Sequence, residues 1–167
     1  FDADLLIAND PDADRCSVAV KEKDLSWRVL RGDEIGAIFG EVIARNAHSG
    51  TLSNSIVSST ILSKIASAYG LKFEETLTGF KYIAKIPNLI FGYEEAIGFC
   101  VDSMTVNDKD GISAALLIAQ IATDLKEQGK SLIDLLDEIW KKYGFHATEQ
   151  ISIRVTDIST ITNVLAK

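Results

Sequence analysis

From Gly32 to Lys142 the sequence alternates short extended runs with longer stretches of helical periodicity, a pattern that restricts the chain to a layered α/β architecture. The extended runs cover residues 55–58, 72–77 and 89–93, and the helical stretches cover 32–46, 61–69, 79–85, 110–127 and 131–142. Within 32–46, Ile35, Ile38, Phe39, Val42 and Ile43 share one face. Asp33 and Glu34 lie in its first turn, at the positive end of the helix dipole. Gly70 follows one helical stretch and Gly129 another, as glycine does where a helix ends in a left-handed residue. Ser131 caps the last, with Leu132, Leu135, Leu136 and Ile139 pointing inward. Alternation of this kind predicts a largely parallel sheet.

Upstream, residues 5–8 form an apolar run predicted to be a buried strand that leads into Asn9-Asp10-Pro11. Residues 16–20 read as a second strand and 27–30 as its hairpin partner. Downstream, residues 149–155 alternate in the manner of a strand, and a new helix is expected from Thr156. The extended tail after Gly144 is the expected start of a further domain.

The composition sets outer limits. A chain of 167 residues that is 47% hydrophobic and 25% charged can bury the core of one domain and lies far from the disordered class. A net charge of −7 argues against a nucleic-acid partner, which needs a basic surface. No apolar run approaches the ~20 residues of a membrane span, so no membrane partner is expected. The chain opens Phe1-Asp2-Ala3-Asp4 without a basic leader, and its only Met is Met104, so both ends read as cuts in a longer chain. Cys16 and Cys100 form no CxxC pair and are expected as reduced thiols in a cytoplasmic protein. His48 and His146 have no neighbouring ligand residues, which disfavours a histidine-based metal site.

The most informative stretch is Asn9-Asp10-Pro11-Asp12-Ala13-Asp14-Arg15. Three carboxylates at alternate positions can turn toward one point when the loop curves. Hard cations such as Mg²⁺ take oxygen ligands and leave room for a substrate phosphate. The loop follows a strand, at the carboxyl end of a sheet, where α/β proteins bind ligands. Arg15 adds a fork of donors suited to phosphate or to orienting the carboxylates. An EF-hand is excluded, because its required Gly and Glu positions counted from Asp10 are Arg15 and Lys21. Three readings stay open from the residues alone: a metal loop, a phosphatase loop with Asp10 as nucleophile and Asp12 beside it, and a solvated acidic turn.

Three further stretches follow in order: Thr76-Leu77-Thr78-Gly79-Phe80-Lys81, Tyr93-Glu94-Glu95-Ala96-Ile97-Gly98 and Asp108-Lys109-Asp110-Gly111. With the acidic loop they resemble the α-D-phosphohexomutases, the phosphoglucomutase and phosphomannomutase superfamily, over nearly the whole chain. The forms Asp-Pro-Asp-Ala-Asp-Arg and Tyr-Glu-Glu-Ala-Ile-Gly look closest to the phosphoglucomutase-2 and phosphopentomutase-like branch.

The resemblance implies a three-layer α/β/α domain with a mixed, largely parallel sheet, the third domain of four. Residues 1–20 would close the second domain with its metal loop, 21–145 would be the third, and 146–167 would be a linker strand and the start of the fourth. Domains I, II and IV would be partners from the same longer chain. Asp10, Asp12 and Asp14 would hold one Mg²⁺, and Arg15 and Lys109 would be the catalytic residues, Lys109 assisting proton transfer. Glu94, Glu95, Thr78, Gly79 and Lys81 would bind substrate, Glu94 contacting sugar hydroxyls. Ala96 stands where the family has Ser, and Tyr93 where it has Gly, which removes one hydroxyl from the sugar loop.

The implied reaction interconverts a sugar 1-phosphate with its 6- or 5-phosphate through a phosphoserine, with a sugar 1,6-bisphosphate as intermediate and activator. Glucose is the expected sugar, with mannose and pentose phosphates as alternatives. The phosphoserine context is absent from these residues, so they would be inactive by themselves. A sugar-phosphate binding module without catalysis is the alternative of another class.

Overall fold

Two sheets carry the strands of the computed structural model, which describes residues 3–149, 151 and 154–166. The first is antiparallel, in the order β1 (Leu5–Asn9), β2 (Cys16–Lys21), β3 (Trp27–Val29). Leu5 lies opposite Val20 and Asn9 opposite Cys16, so the acidic segment is the connection of a hairpin. The second sheet runs β5 (Lys72–Thr76), β4 (Thr51–Ser55), β6 (Leu89–Glu94), β7 (Gly98–Cys100). Here β4 is parallel to both β5 and β6, and β7 is antiparallel to β6, a mixed and largely parallel sheet as expected. An isolated bridge between Arg15 and Gly98 joins the two sheets beside the acidic loop.

Helices α1 (Gly32–Asn46) and α2 (Ile61–Ala68) cover one face of the second sheet, and the short α3 (Phe80–Ile83) lies on the other. The faces are told apart within β6: Phe91 and Tyr93 enter the main core, whereas Gly92 between them abuts Ile83. Helix α4 (Gly111–Glu127) packs on β1, β2 and β7, and α5 (Leu132–Tyr143) on α1, α2 and α4. This is the α/β/α layering. The starts of α4 and α5 follow local chemistry. The Asp110 carboxylate accepts from the Ile112 and Ser113 N–H groups, and Ser131 with Asp134 forms a reciprocal capping box.

One core serves both sheets. Phe39 from α1 meets Phe91 and Phe99 edge-on, with ring centroids 6.1 and 5.3 Å apart, an arrangement that adds to simple area burial. Cys16, Val18 and Val20 of β2 join the same cluster with Ile118 of α4 and Leu136 and Ile139 of α5. The acidic hairpin is therefore anchored at its base by apolar packing.

Three expectations change. The strand expected at 55–58 is β4, which ends at Ser55, and Ile56 and Val57 are 55% and 57% exposed on the turn beyond it. As a central strand β4 is buried throughout while carrying Thr51, Ser53, Asn54 and Ser55, so hydrophobic alternation does not announce it. Strand β1, expected to be buried, is largely exposed among the described residues, with Leu6 and Ile7 48% and 37% exposed at the edge of the three-stranded sheet. Strand β7, of three residues, follows the Glu94 turn where no strand was expected.

In the tail, the strand expected at 149–155 falls partly outside the described residues, and residues 151, 154 and 155 are not in a strand. The helix expected beyond Thr156 is α6 (Ser159–Leu165). Cys16 and Cys100 are free and buried, and burial pushes each thiol up to about 11. Among the described residues no helix is long and apolar enough to cross a membrane.

Candidate active site

The loop from Asn9 to Arg15 is tied to itself and to both neighbouring elements. The Ala13 N–H donates to the Asp10 carbonyl at 3.0 Å, and Ala13 takes a left-handed φ of 56°. The Asn9 side-chain amide donates to the Arg15 carbonyl at 2.7 Å. From α4, the Gly111 N–H donates to the Ala13 carbonyl at 2.9 Å. Only glycine fits at 111, since a Cβ there would lie 2.3 Å from the Arg15 carbonyl oxygen and 2.8 Å from that of Ala13. On the other side the Cys16 N–H donates to the Ile97 carbonyl at 3.0 Å. Ile97 has a φ of 58°, strained for a β-branched residue, and holds its carbonyl toward the acidic hairpin.

Within this frame Asp10, Asp12 and Asp14 each present a carboxylate oxygen, and the three lie within 4.8 Å of one another. Ligands about 2.1 Å from an octahedral ion are about 3 to 4 Å apart, so the set fits one hard cation after small adjustments. All three donors are oxygen, as Mg²⁺ prefers. Asp10 and Asp14 are partly exposed and Asp12 is exposed, leaving the loop open to solvent.

Arg15 clamps Asp10 at both oxygens, through its side-chain Nε at 2.7 Å and its backbone N–H at 3.1 Å, and reaches Asp14 at 3.5 Å. Desolvation works against the charged form of Asp10, but the Arg15 hydrogen bonds outweigh it and hold the carboxyl below its ordinary value. The Lys109 ammonium lies 3.1 Å from Asp14 and 3.7 Å from Asp108, and sits over the Phe80 ring. Its pKa is raised: desolvation opposes the charge, and Asp14, Asp108 and Glu94 more than offset that. Gly98 makes room for the Lys109 stem, because a Cβ there would meet the Lys109 Cδ at 2.3 Å.

Glu94 ends β6 and reaches back to the start of α3, where Oε1 accepts the Gly79 N–H at 2.6 Å. Gly79 has a φ of 123° and starts α3. Glu95 turns the other way, its Oε2 accepting from Ser55 Oγ at 2.9 Å and Ser58 Oγ at 3.1 Å. The structure thus brings together Asp10, Asp12, Asp14, Arg15 and Lys109, with Glu94 within electrostatic reach of Lys109 and Gly79 bonded to Glu94. Thr78 and Lys81 are exposed, Lys81 with its ammonium over the Tyr82 ring at 5.1 Å. Gly98 and Gly111 close two of the sequence motifs but carry no role from sequence, and Ser55 and Ser58 have no sequence signal at all.

The family described as phosphoglucomutase/phosphomannomutase, alpha/beta/alpha domain III, matches residues 31–143. A "Probable phosphomannomutase" of Haemophilus influenzae is 49% identical over 161 residues, covering 95% of this chain and 33% of the relative. The phosphopentomutase of Mus musculus is 38% identical over 180 residues, 97% of this chain and 29% of the relative. The chain thus spans about a third of the length of these relatives. Among solved structures, the exocytosis-sensitive phosphoprotein parafusin, a phosphoglucomutase from Paramecium, superimposes with a TM-score of 0.69 at 24% identity. That match covers 85% of this chain and 25% of the other, and shows a shared fold. With a hairpin loop of three converging carboxylates docked on a mixed α/β/α sheet, the chain belongs to the phosphoglucomutase/phosphomannomutase family and carries its domain III.

Proposed function

We propose that these residues are part of a Mg²⁺-dependent sugar-phosphate mutase, and that they supply its metal loop and its sugar-selecting turn. The observation that carries this reading is the convergence of Asp10, Asp12 and Asp14 beside Arg15 and Lys109. In this reading residues 1–20 close the preceding domain and 146–167 lead into the next.

Asp10, Asp12 and Asp14 would hold the ion, which when bound neutralises charge on the phosphoryl oxygens. Arg15, fixed by Asp10, would orient the loop and face the phosphoryl group with its remaining donors. Lys109 would assist proton transfer at the sugar hydroxyl. Glu94 would accept from two adjacent hydroxyls and so read the sugar in either orientation, with Gly79 steadying its carboxylate. Glu95, Thr78 and Lys81 would complete the substrate wall. A phosphoryl group would pass from a phosphoserine elsewhere in the longer chain to one hydroxyl, and the other phosphate of the bisphosphate would return to that serine. The phosphatase reading is disfavoured by Asp10, whose two oxygens are both engaged by Arg15, as suits a fixed ligand more than a nucleophile.

The test is an assay of the full-length protein in the cytoplasmic pH range with glucose 1-phosphate, mannose 1-phosphate and ribose 1-phosphate. A sugar 1,6-bisphosphate serves as activator. Isomerisation that EDTA abolishes and Mg²⁺ restores is expected, and the panel ranks hexose against pentose for a sugar loop that carries Ala96. Folded, Mg²⁺-supplied protein that turns over none of the three overturns the proposal.

A further inference from the structure

Asp33 stands outside the acidic hairpin and the Glu94 turn, in the first turn of α1, yet it is 8% exposed and its carboxylate accepts three hydrogen bonds. The donors come from three separate segments. Oδ1 takes the Ser59 N–H at 2.7 Å and the Tyr93 hydroxyl at 2.9 Å, and Oδ2 takes the Thr148 hydroxyl at 2.6 Å. A buried carboxylate so placed is a stiff junction, because losing any donor leaves charge poorly solvated.

Each segment leads to a different place. Tyr93 immediately precedes Glu94. Ser59 follows Ser58, whose hydroxyl both donates to the Glu95 carboxylate and accepts the Glu95 N–H at 3.2 Å. The Glu95 carbonyl also lies directly against Gly32, the residue before Asp33. Thr148 belongs to the segment that leaves α5 after Gly144. That segment has further ties to the same region: His146 Nδ1 is 2.9 Å from Thr60 Oγ1, and Arg31 meets the Glu149 carboxylate at 2.9 Å and the Thr148 carbonyl.

We propose that Asp33 is a positioning residue that couples the path of the exit segment, residues 145–149, to the placement of Glu94 and Glu95. The proposal rests on the reading of Glu94 as the residue that contacts the sugar. With Thr148 seated, Asp33 is fully partnered and holds Tyr93 and Ser59 in register. When the exit segment lifts, Asp33 loses a donor, and the two residues that precede Glu94 and follow Ser58 share an under-satisfied carboxylate. Coupling of this kind is reciprocal, so a sugar phosphate held by Glu94 favours the seated exit segment.

The full-length protein with Thr148→Val, and separately Thr148→Ser, tests this. Val preserves the shape and removes the donor; Ser preserves the donor. Amide hydrogen exchange at residues 55–60 and 93–96 is read beside kcat and KM. Thr148→Val is expected to speed exchange in both segments and to raise KM about tenfold, more than it lowers kcat, the scale of one hydrogen bond to a charged group. Thr148→Ser is expected to restore both. Unchanged exchange at 93–96 in Thr148→Val, or a Ser variant that behaves as Val does, overturns the proposal. If the protein turns over no sugar phosphate, the exchange data still decide the coupling, and the functional reading fails separately.

Discussion

The acidic hairpin and the Glu41 cluster both gather negative charge against cations, and they do so in opposite proportions. Glu41, in α1, has a side chain that is 5% exposed. It accepts from the Tyr69 hydroxyl at 2.7 Å, the Tyr143 hydroxyl at 2.7 Å and the Lys142 ammonium at 3.2 Å, with Arg45 at 3.6 Å. Lys142 in turn lies over the Tyr69 and Tyr143 rings. One carboxylate meets four donors, and the result pins α1, α2 and α5 together. In the hairpin, three partly or fully exposed carboxylates share Arg15 and Lys109. The first cluster is electrostatically complete; the second keeps an excess of oxygen ligands facing solvent. The ratio of donors to carboxylates, together with exposure, separates a structural acid from one available for chemistry.

The sharpest break of that comparison comes from Asp12. Asp12→Ala in the full-length protein is expected to cost about 10²- to 10³-fold in kcat/KM, the scale of one lost preorganised charge interaction. Because Asp12 is exposed, the unfolding free energy of the variant in urea should change by less than about 0.5 kcal/mol. Glu41→Ala should do the reverse. Loss of two tyrosine hydrogen bonds and an ammonium contact costs about 3 kcal/mol in chemical denaturation, with the activity of the remaining folded protein intact. Comparable activity losses in the two variants would show that the two clusters do not differ in this way.

Gly111→Ala probes how closely α4 seats the acidic hairpin. Its Cβ would collide with the backbone carbonyls of Arg15 and Ala13, so stability should fall by about 1–3 kcal/mol. Mg²⁺ affinity, read by calorimetric titration, should fall with it, because the hairpin must move. An unchanged affinity would show that α4 does not shape the loop.

The smallest effect is one of pH. Burial opposes the charged form of Glu41, but Tyr143, Tyr69 and Lys142 outweigh it and hold the carboxyl below its ordinary 4.5. A depressed folded value means stability that is present above pH 4.5 and lost as pH falls through the folded value. Urea midpoints of the natural protein and Glu41→Gln should therefore differ most near neutrality and converge in acid. A gap that widens below pH 4 would contradict the sign.

The elements differ in how legible they were for physical reasons. Helix α1 was readable to the residue because its apolar face, its acidic first turn and its length agree. The acidic loop stood out through its carboxylates at alternate positions, but its place as the connection of an antiparallel hairpin did not, because only the pairing of Asn9 with Cys16 reveals it. Strand β4 was misplaced, since a strand covered on both faces can carry Ser53 and Asn54 where pattern rules look for Val or Ile. The partners of Glu95 were invisible for a different reason: Ser58 is 37 residues away, and serines on a turn have no distinguishing pattern. Asp33 read as an ordinary first-turn acid; its tie to Thr148, 115 residues on, makes it a junction.

By itself the sequence determined the α/β class, the helices and the acidic loop, because periodicity, capping and charge spacing are local and act over a few residues. It also carried the four motifs by which the family is recognised. Only the tertiary structure decided which carboxylates face a common point, which glycines must be bare to let Lys109 and the Arg15 backbone approach, and which of two adjacent glutamates turns toward Gly79. Those outcomes depend on packing between segments distant in sequence, where a contact of a few ångströms is set by the whole core and not by any neighbouring residue.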